Sequence, residues 1–133
     1  MHIYIGGAHN GKRDYVRKML EGKDVQWFEG TLPSTQHPHN SDAKVVIAGL
    51  EKWLAATDLS EEDAIAFVVE RVSGRDVIVI LTDIGRGIVP IDAHQRQLRD
   101  TCGRLYQRLM AEAYEVTRIW YGIPQTVKKR GEK

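Results

Sequence analysis

The residues that most clearly suggest chemistry lie in a glycine-rich segment near the start of the sequence, Gly6-Gly7-Ala8-His9-Asn10-Gly11-Lys12. The segment fits the pattern G-x-x-x-x-G-K and lies between a predicted strand and a predicted helix. Glycines let such a loop wrap with its N–H groups facing inward, and the start of the helix adds partial positive charge. A lysine in the first helical turn can reach the outer phosphates of a nucleotide. The segment predicts a phosphate-binding loop, with an ordinary strand-to-helix turn as the alternative.

The residue after this lysine departs from the usual pattern. A Ser or Thr hydroxyl normally ligates the magnesium ion there, but this chain has Arg13. Arginine cannot ligate a cation, so magnesium is a doubtful cofactor. Either Arg13 neutralises phosphate directly and gives a metal-independent anion site, or it marks the loss of phosphoryl transfer. The residues predicted to bind the nucleotide are Gly6, Gly7, Ala8, His9, Asn10, Gly11, Lys12 and Arg13.

A phosphate-binding loop usually works with an acidic residue at the end of a neighbouring strand. Asp83 follows the apolar run from Val77 to Leu81 and is the better candidate for orienting a metal or a hydroxyl group. A loop aspartate that caps local backbone is the alternative. The apolar run 45–47 ends instead in Ala48, with no carboxylate before Glu51.

The histidines and the cysteine predict no metal site. His37 and His39 form a His-x-His pair, but no third or fourth ligand is evident nearby in the sequence. His94 is predicted to be a surface residue. Cys102 falls on the apolar stripe of a predicted helix, so it is predicted to be a core residue rather than a nucleophile.

Alternating strands and helices must position these residues. Short apolar runs are typical of strands covered on both faces, and they alternate with stretches of helical periodicity. This pattern favours an α/β fold with a mainly parallel sheet, helices on both faces and one domain over residues 1–133. Predicted strands cover 3–5, 25–28, 45–47, 77–81 and 116–121. Predicted helices cover 12–21, about 50–54, 61–72 with Ser60 as its cap, and 93–113 with Asp92 as its cap. A polar loop over 30–42, a turn at Gly122-Ile123-Pro124 and a solvated end at Lys128-Lys129-Arg130 complete the prediction.

Composition excludes several classes of protein. The 133 residues include 19 Lys+Arg and 18 Asp+Glu, and this balance argues against a protein that mainly binds nucleic acid. A single cysteine excludes an internal disulfide framework. No apolar run approaches the roughly 20 residues of a membrane span, and the N-terminal apolar stretch is too short for a signal peptide. We therefore expect a cytoplasmic globular protein that binds no nucleic acid.

A second glycine-rich segment points to a family. Residues 82–90 read T-D-I-G-R-G-I-V-P, and residues 99–109 read R-D-x-x-G-R-x-x-Q-R-L. Together with Gly6-Gly7-Ala8, these blocks resemble the adenosylcobinamide kinase/adenosylcobinamide-phosphate guanylyltransferase family, which carries N-E-V-G-x-G-I-V-P and R-D-x-x-G-x-x-N-Q-R-L. The resemblance covers residues 2–13 and about 76–128. The matching positions are Gly6, Gly11, Lys12, Asp83 (for a glutamate), Gly85, Gly87, Pro90, Arg99, Asp100, Gly103, Arg104, Gln107 and Arg108.

The resemblance implies a P-loop type three-layer α/β/α fold, a homo-oligomer, and a kinase and nucleotidyltransferase of cobalamin biosynthesis. Such an enzyme phosphorylates a cobinamide hydroxyl and transfers a guanylyl group from GTP through a histidine–GMP intermediate. GTP or ATP would then be the cofactor, a corrinoid the small-molecule partner, and Lys12 and Asp83 the catalytic residues. The chain departs from the family at Arg13, at Ala48 and at residues 35–40, where His37 and His39 stand in place of the family's H-H-x-x-R-P motif. A catalytically inactive homologue that serves nucleotide sensing or subunit assembly is therefore the alternative.

Overall fold

The protein is built around one six-stranded sheet with the strand order β2-β3-β4-β1-β5-β6. The computed structural model describes residues 1–7, 11–33, 43–72, 77–83 and 92–129. Within them the strands are β1 His2–Gly6, β2 Val25–Glu29, β3 Lys44–Ala48, β4 Val77–Thr82, β5 Glu115–Trp120 and β6 Ile123–Lys129. The helices are α1 Lys12–Met19, α2 Leu50–Ala56, α3 Glu61–Val72 and α4 Ala93–Glu112.

The sheet is mainly parallel. β1 pairs in parallel with both β4 and β5, and β3 pairs in parallel with β2 and β4. Among the described strands, only β6 runs antiparallel, against β5. Because the carboxyl ends of parallel strands share one edge, the loops after β1, β3 and β4 start from the same side of the sheet. Ligands of such folds bind at this edge, where neighbouring connections leave in opposite directions.

Helices cover both faces of the sheet, as the sequence predicts. On one face, Val16 of α1 and Leu20, which directly follows the helix, pack with Tyr4, Val46 and Ile80. On the other face, helices α2, α3 and α4 contribute the buried side chains Leu54, Val68, Leu105 and Leu109 to a larger cluster. The apolar runs that predict strands covered on both faces are therefore buried on both sides of the sheet. The expected three-layer α/β/α architecture is confirmed.

Polar residues start two of the helices where the sequence places the caps. The Ser60 hydroxyl accepts a hydrogen bond from the Asp63 amide at 3.2 Å. The Asp92 carboxylate accepts one from the His94 amide at 2.8 Å. Each bond satisfies a first-turn N–H group that has no partner within its helix. Among the described helices, none is both long and apolar enough to cross a membrane.

The end of the described chain corrects the prediction. Ile123 and Pro124 are not part of the turn: they begin β6, and the turn consists of Tyr121 and Gly122. A proline argues against a central strand, but an edge strand tolerates it. Nearly every β6 side chain is exposed, so the sequence of this strand shows no alternation of apolar and polar residues. Lys128 is not part of a solvated end either, because its ammonium donates to the carbonyl oxygens of Met110 and Ala111, both at 2.9 Å.

Candidate functional site

The candidate site lies at the carboxyl end of β1, between the ends of its two neighbours. A Cβ on Gly6 would stand 2.4 Å from the carbonyl oxygen of Ile119 in β5, so only glycine fits there. On the other side, the Asp83 amide donates to the Gly6 carbonyl oxygen at 2.8 Å and extends the β1–β4 pairing by one residue. The sheet therefore brings Asp83 beside the first glycine of the predicted phosphate loop.

The position of Asp83 is fixed from a second direction. The Tyr106 hydroxyl, on the inner stripe of α4, donates to the carbonyl oxygen of Thr82 at 2.9 Å. Burial raises the pKa of Tyr106, so the hydroxyl keeps its proton and remains a donor. The long helix thereby holds the last residue of β4 in place, and Asp83 follows directly.

Lys12 is the first residue of α1 and turns back toward the loop that precedes it. Its side chain is buried, with 3% of its surface exposed, and its ammonium donates to the Gly7 carbonyl oxygen at 2.6 Å. Burial lowers the pKa of Lys12, and the nearby Arg13 lowers it further, whereas Glu51 and Asp83 oppose the shift. A buried lysine at a helix start, next to a glycine-rich loop, can bind an anion through its ammonium group.

The start of α1 offers backbone donors as well. Gly11 is the N-cap, in a left-handed conformation (φ 81°) that glycine adopts without strain. No described side chain caps this end of the helix. The amide groups of the first turn and the positive end of the helix dipole therefore point toward the loop that ends at Gly11.

Two carboxylates lie near Lys12, and the sequence identified only one of them. Asp83 was predicted, whereas Glu51, in the first turn of α2, was passed over because it follows the strand end by three residues. Glu51 is close enough for its charge to raise the pKa of Lys12. Its Oε1 atom is buried and has no hydrogen-bond partner among the described residues. A buried carboxylate oxygen without a partner is uncommon, and it can accept a hydrogen bond from a donor such as a hydroxyl group.

Arg13, the next residue along α1, binds Glu29. Its Nη2 and Nε atoms donate to the two carboxylate oxygens of Glu29, at 2.6 and 3.1 Å. Trp27 Nε1 adds a third hydrogen bond to the same carboxylate, at 3.0 Å. The hydrogen bond between the two side chains raises the pKa of Arg13 and lowers that of Glu29. Both groups are therefore held in their charged forms.

The residues of this edge do not fit the magnesium site of a phosphate-binding loop. The hydroxyl that would ligate the ion is replaced by the guanidinium of Arg13, and the strand-end acid of β3 is replaced by Ala48. Glu29 is the register partner of Ala48, so the ion pair lies across the strand end where that acid would stand. Within the described ranges, no group of three or more His, Cys, Asp or Glu side chains could hold a metal.

The structure thus brings together part of the predicted set. Gly6, Gly7, Gly11, Lys12 and Asp83 meet at the end of β1, while Arg13 is adjacent but bound to Glu29. Outside the described residues lie Ala8, His9 and Asn10, the histidines His37 and His39, and the glycine-rich segment 84–90. His94 is exposed, as expected, and Cys102 is buried with its pKa raised by burial to about 12, which confirms a core role.

The arginine-rich block of α4 connects two helices. Arg104 Nη2 donates to Glu61 Oε1 at 2.7 Å, and its Nε donates to the other oxygen. The Thr101 hydroxyl donates to Glu61 as well, at 2.8 Å. Because Glu61 begins α3, these bonds join α3 to α4, and we assign this part of the block a structural role.

Comparisons with known proteins give two findings. A family model described as cobinamide kinase / cobinamide phosphate guanyltransferase matches residues 31–127. The bifunctional adenosylcobalamin biosynthesis protein CobU of Salmonella typhimurium (strain LT2) is 34% identical over 82 residues, which are 59% of this chain and 45% of that protein. The chain therefore matches less than half the length of this curated relative. The family match begins after the glycine-rich loop and does not include residues 6–12.

Proposed function

The chain belongs to the cobinamide kinase / cobinamide phosphate guanyltransferase family, and from this premise we propose that it is a nucleotide-binding protein of cobalamin biosynthesis. The observation that carries the proposal is Lys12, buried at the start of α1 with its ammonium on the Gly7 carbonyl oxygen. An incoming phosphate would replace that carbonyl as the partner of the ammonium. The nucleotide is GTP or ATP, bound through its phosphates at residues 6–12.

The reaction we propose is transfer of a phosphoryl group to a hydroxyl of a corrinoid. The hydroxyl oxygen attacks the γ-phosphorus, the bond from that phosphorus to the β,γ-bridging oxygen breaks, and the nucleoside diphosphate leaves. Asp83 orients the hydroxyl and accepts its proton. Lys12 stabilises the negative charge that develops on the transferred group and on the leaving oxygen.

Nucleotide binding in this proposal needs no magnesium ion. Arg13 stands where a metal ligand would, and Glu29 fixes the guanidinium by two hydrogen bonds. A fixed cation one residue from Lys12 supplies positive charge near the phosphates, a part that the metal plays in other phosphate-binding loops.

The second candidate is a homologue that binds nucleotide but transfers nothing. The same Arg13–Glu29 pair favours it, because Glu29 neutralises a large part of the charge that would otherwise stabilise a transition state. Nucleotide binding would then serve sensing or the assembly of a homo-oligomer.

Calorimetric titration of GTP and ATP, with and without magnesium, tests the binding proposal. Binding that is equally tight in both conditions supports it, and the absence of binding in both contradicts it. Incubation with cobinamide and γ-labelled nucleotide then separates the two candidates, because only the transferase labels the corrinoid. With α-labelled GTP, an acid-labile adduct on His37 or His39 would establish the guanylyl-transfer step as well, and sedimentation measures the number of subunits.

A further inference from the structure

Two large aromatic side chains lie exposed at the turn between β5 and β6. Trp120 exposes 59% of its surface and Tyr121 exposes 75%. Their ring centroids are 5.5 Å apart and their planes are inclined by 48°. Solvent-exposed aromatic surface of this extent is costly in water, and it is typical of sites that bind another molecule.

This turn lies directly against the predicted phosphate loop. A Cβ on Gly11 would stand 3.5 Å from both the amide nitrogen and the Cα of Gly122. Three residues before Gly122, the carbonyl oxygen of Ile119 leaves no room for a side chain on Gly6. Both ends of the loop that begins at Gly6 and ends at Gly11 are therefore in contact with the chain segment that carries the aromatic pair.

The backbone of the turn makes the choice of tyrosine unusual. Tyr121 and Gly122 have φ angles of 51° and 76°, which are the two positive values of a type I′ hairpin turn. The first position of this turn favours Asn, Asp or Gly, because other side chains are strained at positive φ. The Tyr121 ring is mostly exposed, so the fold gains little packing in return. A strained residue of this kind points to a functional contact.

We propose that Trp120 and Tyr121 form a stacking surface for the base of the nucleotide, an inference that rests on the phosphate site proposed above. When the phosphates bind at the start of α1, the nucleoside extends along the surface next to it. The turn between β5 and β6 places the two exposed rings at this surface. Aromatic rings stack on any base, because every base has a π-face. The surface therefore adds affinity for the nucleoside without selecting between guanine and adenine.

The test separates the base from the phosphates by using GTP, ATP and inorganic triphosphate as ligands. The variant Tyr121→Asn keeps the turn, because Asn-Gly is the favoured type I′ sequence. We expect this variant to bind both nucleotides about tenfold more weakly, the value for loss of one base–aromatic stack. Its affinity for inorganic triphosphate stays unchanged. Tyr114→Asn, which removes an exposed tyrosine just before β5, at the opposite end of that strand, is the matched control and leaves all three affinities as they are.

Tryptophan fluorescence gives a second readout, because Trp120 is the most exposed of the three tryptophans, all of which lie in described residues. GTP should quench the native emission more than it quenches that of Trp120→Thr. Equal loss of triphosphate and nucleotide affinity in Tyr121→Asn would overturn the stacking proposal, as would unchanged nucleotide affinity in that variant. If the native chain binds neither triphosphate nor nucleotide, the phosphate site itself fails and the stacking surface with it.

Discussion

Arg13 on α1 and Glu29 at the end of β2 form a two-pronged ion pair, with Nη2–Oε2 and Nε–Oε1 distances of 2.6 and 3.1 Å. The Glu29 carboxylate also lies close to Gly49, where a Cβ would stand 2.9 Å from one of its oxygens. Arginine suits this role because its planar fork matches a carboxylate. The pair holds a guanidinium at this edge, one residue after Lys12, at the position where a phosphate-binding loop usually has a metal ligand.

Arg13→Ser should make nucleotide binding depend on magnesium. Without the metal, we expect affinity for GTP to fall about tenfold, because one nearby positive charge is lost. With magnesium present, the new hydroxyl is a ligand of the usual type, and much of the affinity returns. Titration calorimetry at constant ionic strength measures both effects.

Two further variants show whether the position of the charge matters. Arg17→Ser, one turn further along the same helix, removes an exposed arginine whose partner Asp14 is 3.6 Å away, and it should change affinity by less than about twofold. Glu29→Gln leaves the guanidinium without its counter-charge and should strengthen metal-free binding. Equal losses in Arg13→Ser and Arg17→Ser would contradict a specific role for Arg13.

Gly6→Ala should destabilise the fold. The new methyl group meets the Ile119 carbonyl oxygen at 2.4 Å, and backbone on both sides cannot easily move. We expect a loss of about 2–3 kcal/mol in the free energy of unfolding, as for other overpacked positions. Urea denaturation followed by circular dichroism measures it.

Gly103 provides the matched control for that substitution. It lies within α4, and a Cβ there would meet no atom within 4 Å. Gly103→Ala should therefore stabilise the protein by about 0.5–1 kcal/mol through helix propensity. Loss of stability at both positions would show that the steric explanation for Gly6 is wrong.

Lys128→Ala should loosen the β5–β6 hairpin from α4. The ammonium donates to two carbonyl oxygens near the end of that helix, where the helix dipole favours a cation. We expect a loss of about 1 kcal/mol in the free energy of unfolding. Lys129→Ala, at the exposed neighbouring position, should stay within about 0.5 kcal/mol of the native value. Equal effects of the two substitutions would contradict the capping role.

Much of the fold was predictable because its signals are local. Apolar runs such as 45–47 and 77–81 identified the buried strands, and Ser60 and Asp92 marked helix starts through bonds to residues two or three positions away. Strand β6 was missed for a local reason as well. Its side chains are nearly all exposed and it contains Pro124, so neither periodicity nor propensity distinguished it from a turn and a tail.

The site was predictable only where one motif contains its residues. The loop and Lys12 lie within seven consecutive positions, and Asp83 follows a strand recognisable by itself. The Arg13–Glu29 pair depends on the parallel register that sets Glu29 beside Ala48, and no local pattern encodes that register. Glu51 was missed for a similar reason: only the folded chain shows that the first turn of α2 lies near Lys12.

Nucleotide affinity should fall as pH rises, starting below the usual pKa of lysine. In the protein without ligand, burial and the nearby Arg13 lower the pKa of Lys12 below the ordinary lysine value of 10.5, whereas a bound phosphate favours the ammonium form. The ammonium is lost as pH rises through the lowered pKa, so binding then requires proton uptake and weakens. The measurement uses ATP, because guanine loses its N1 proton between about pH 8 and pH 10, whereas phosphate groups have their second pKa near 6 and adenine has no group that titrates in this range. Cys102, with a pKa of about 12, does not titrate below pH 10. Titration calorimetry between about pH 8 and pH 10, in two buffers of different ionisation enthalpy, should detect this proton uptake.

The variant Lys12→Arg keeps its charge throughout this range and should show neither proton uptake nor a decline in nucleotide affinity. A parallel decline in both proteins would assign the pH dependence to another group.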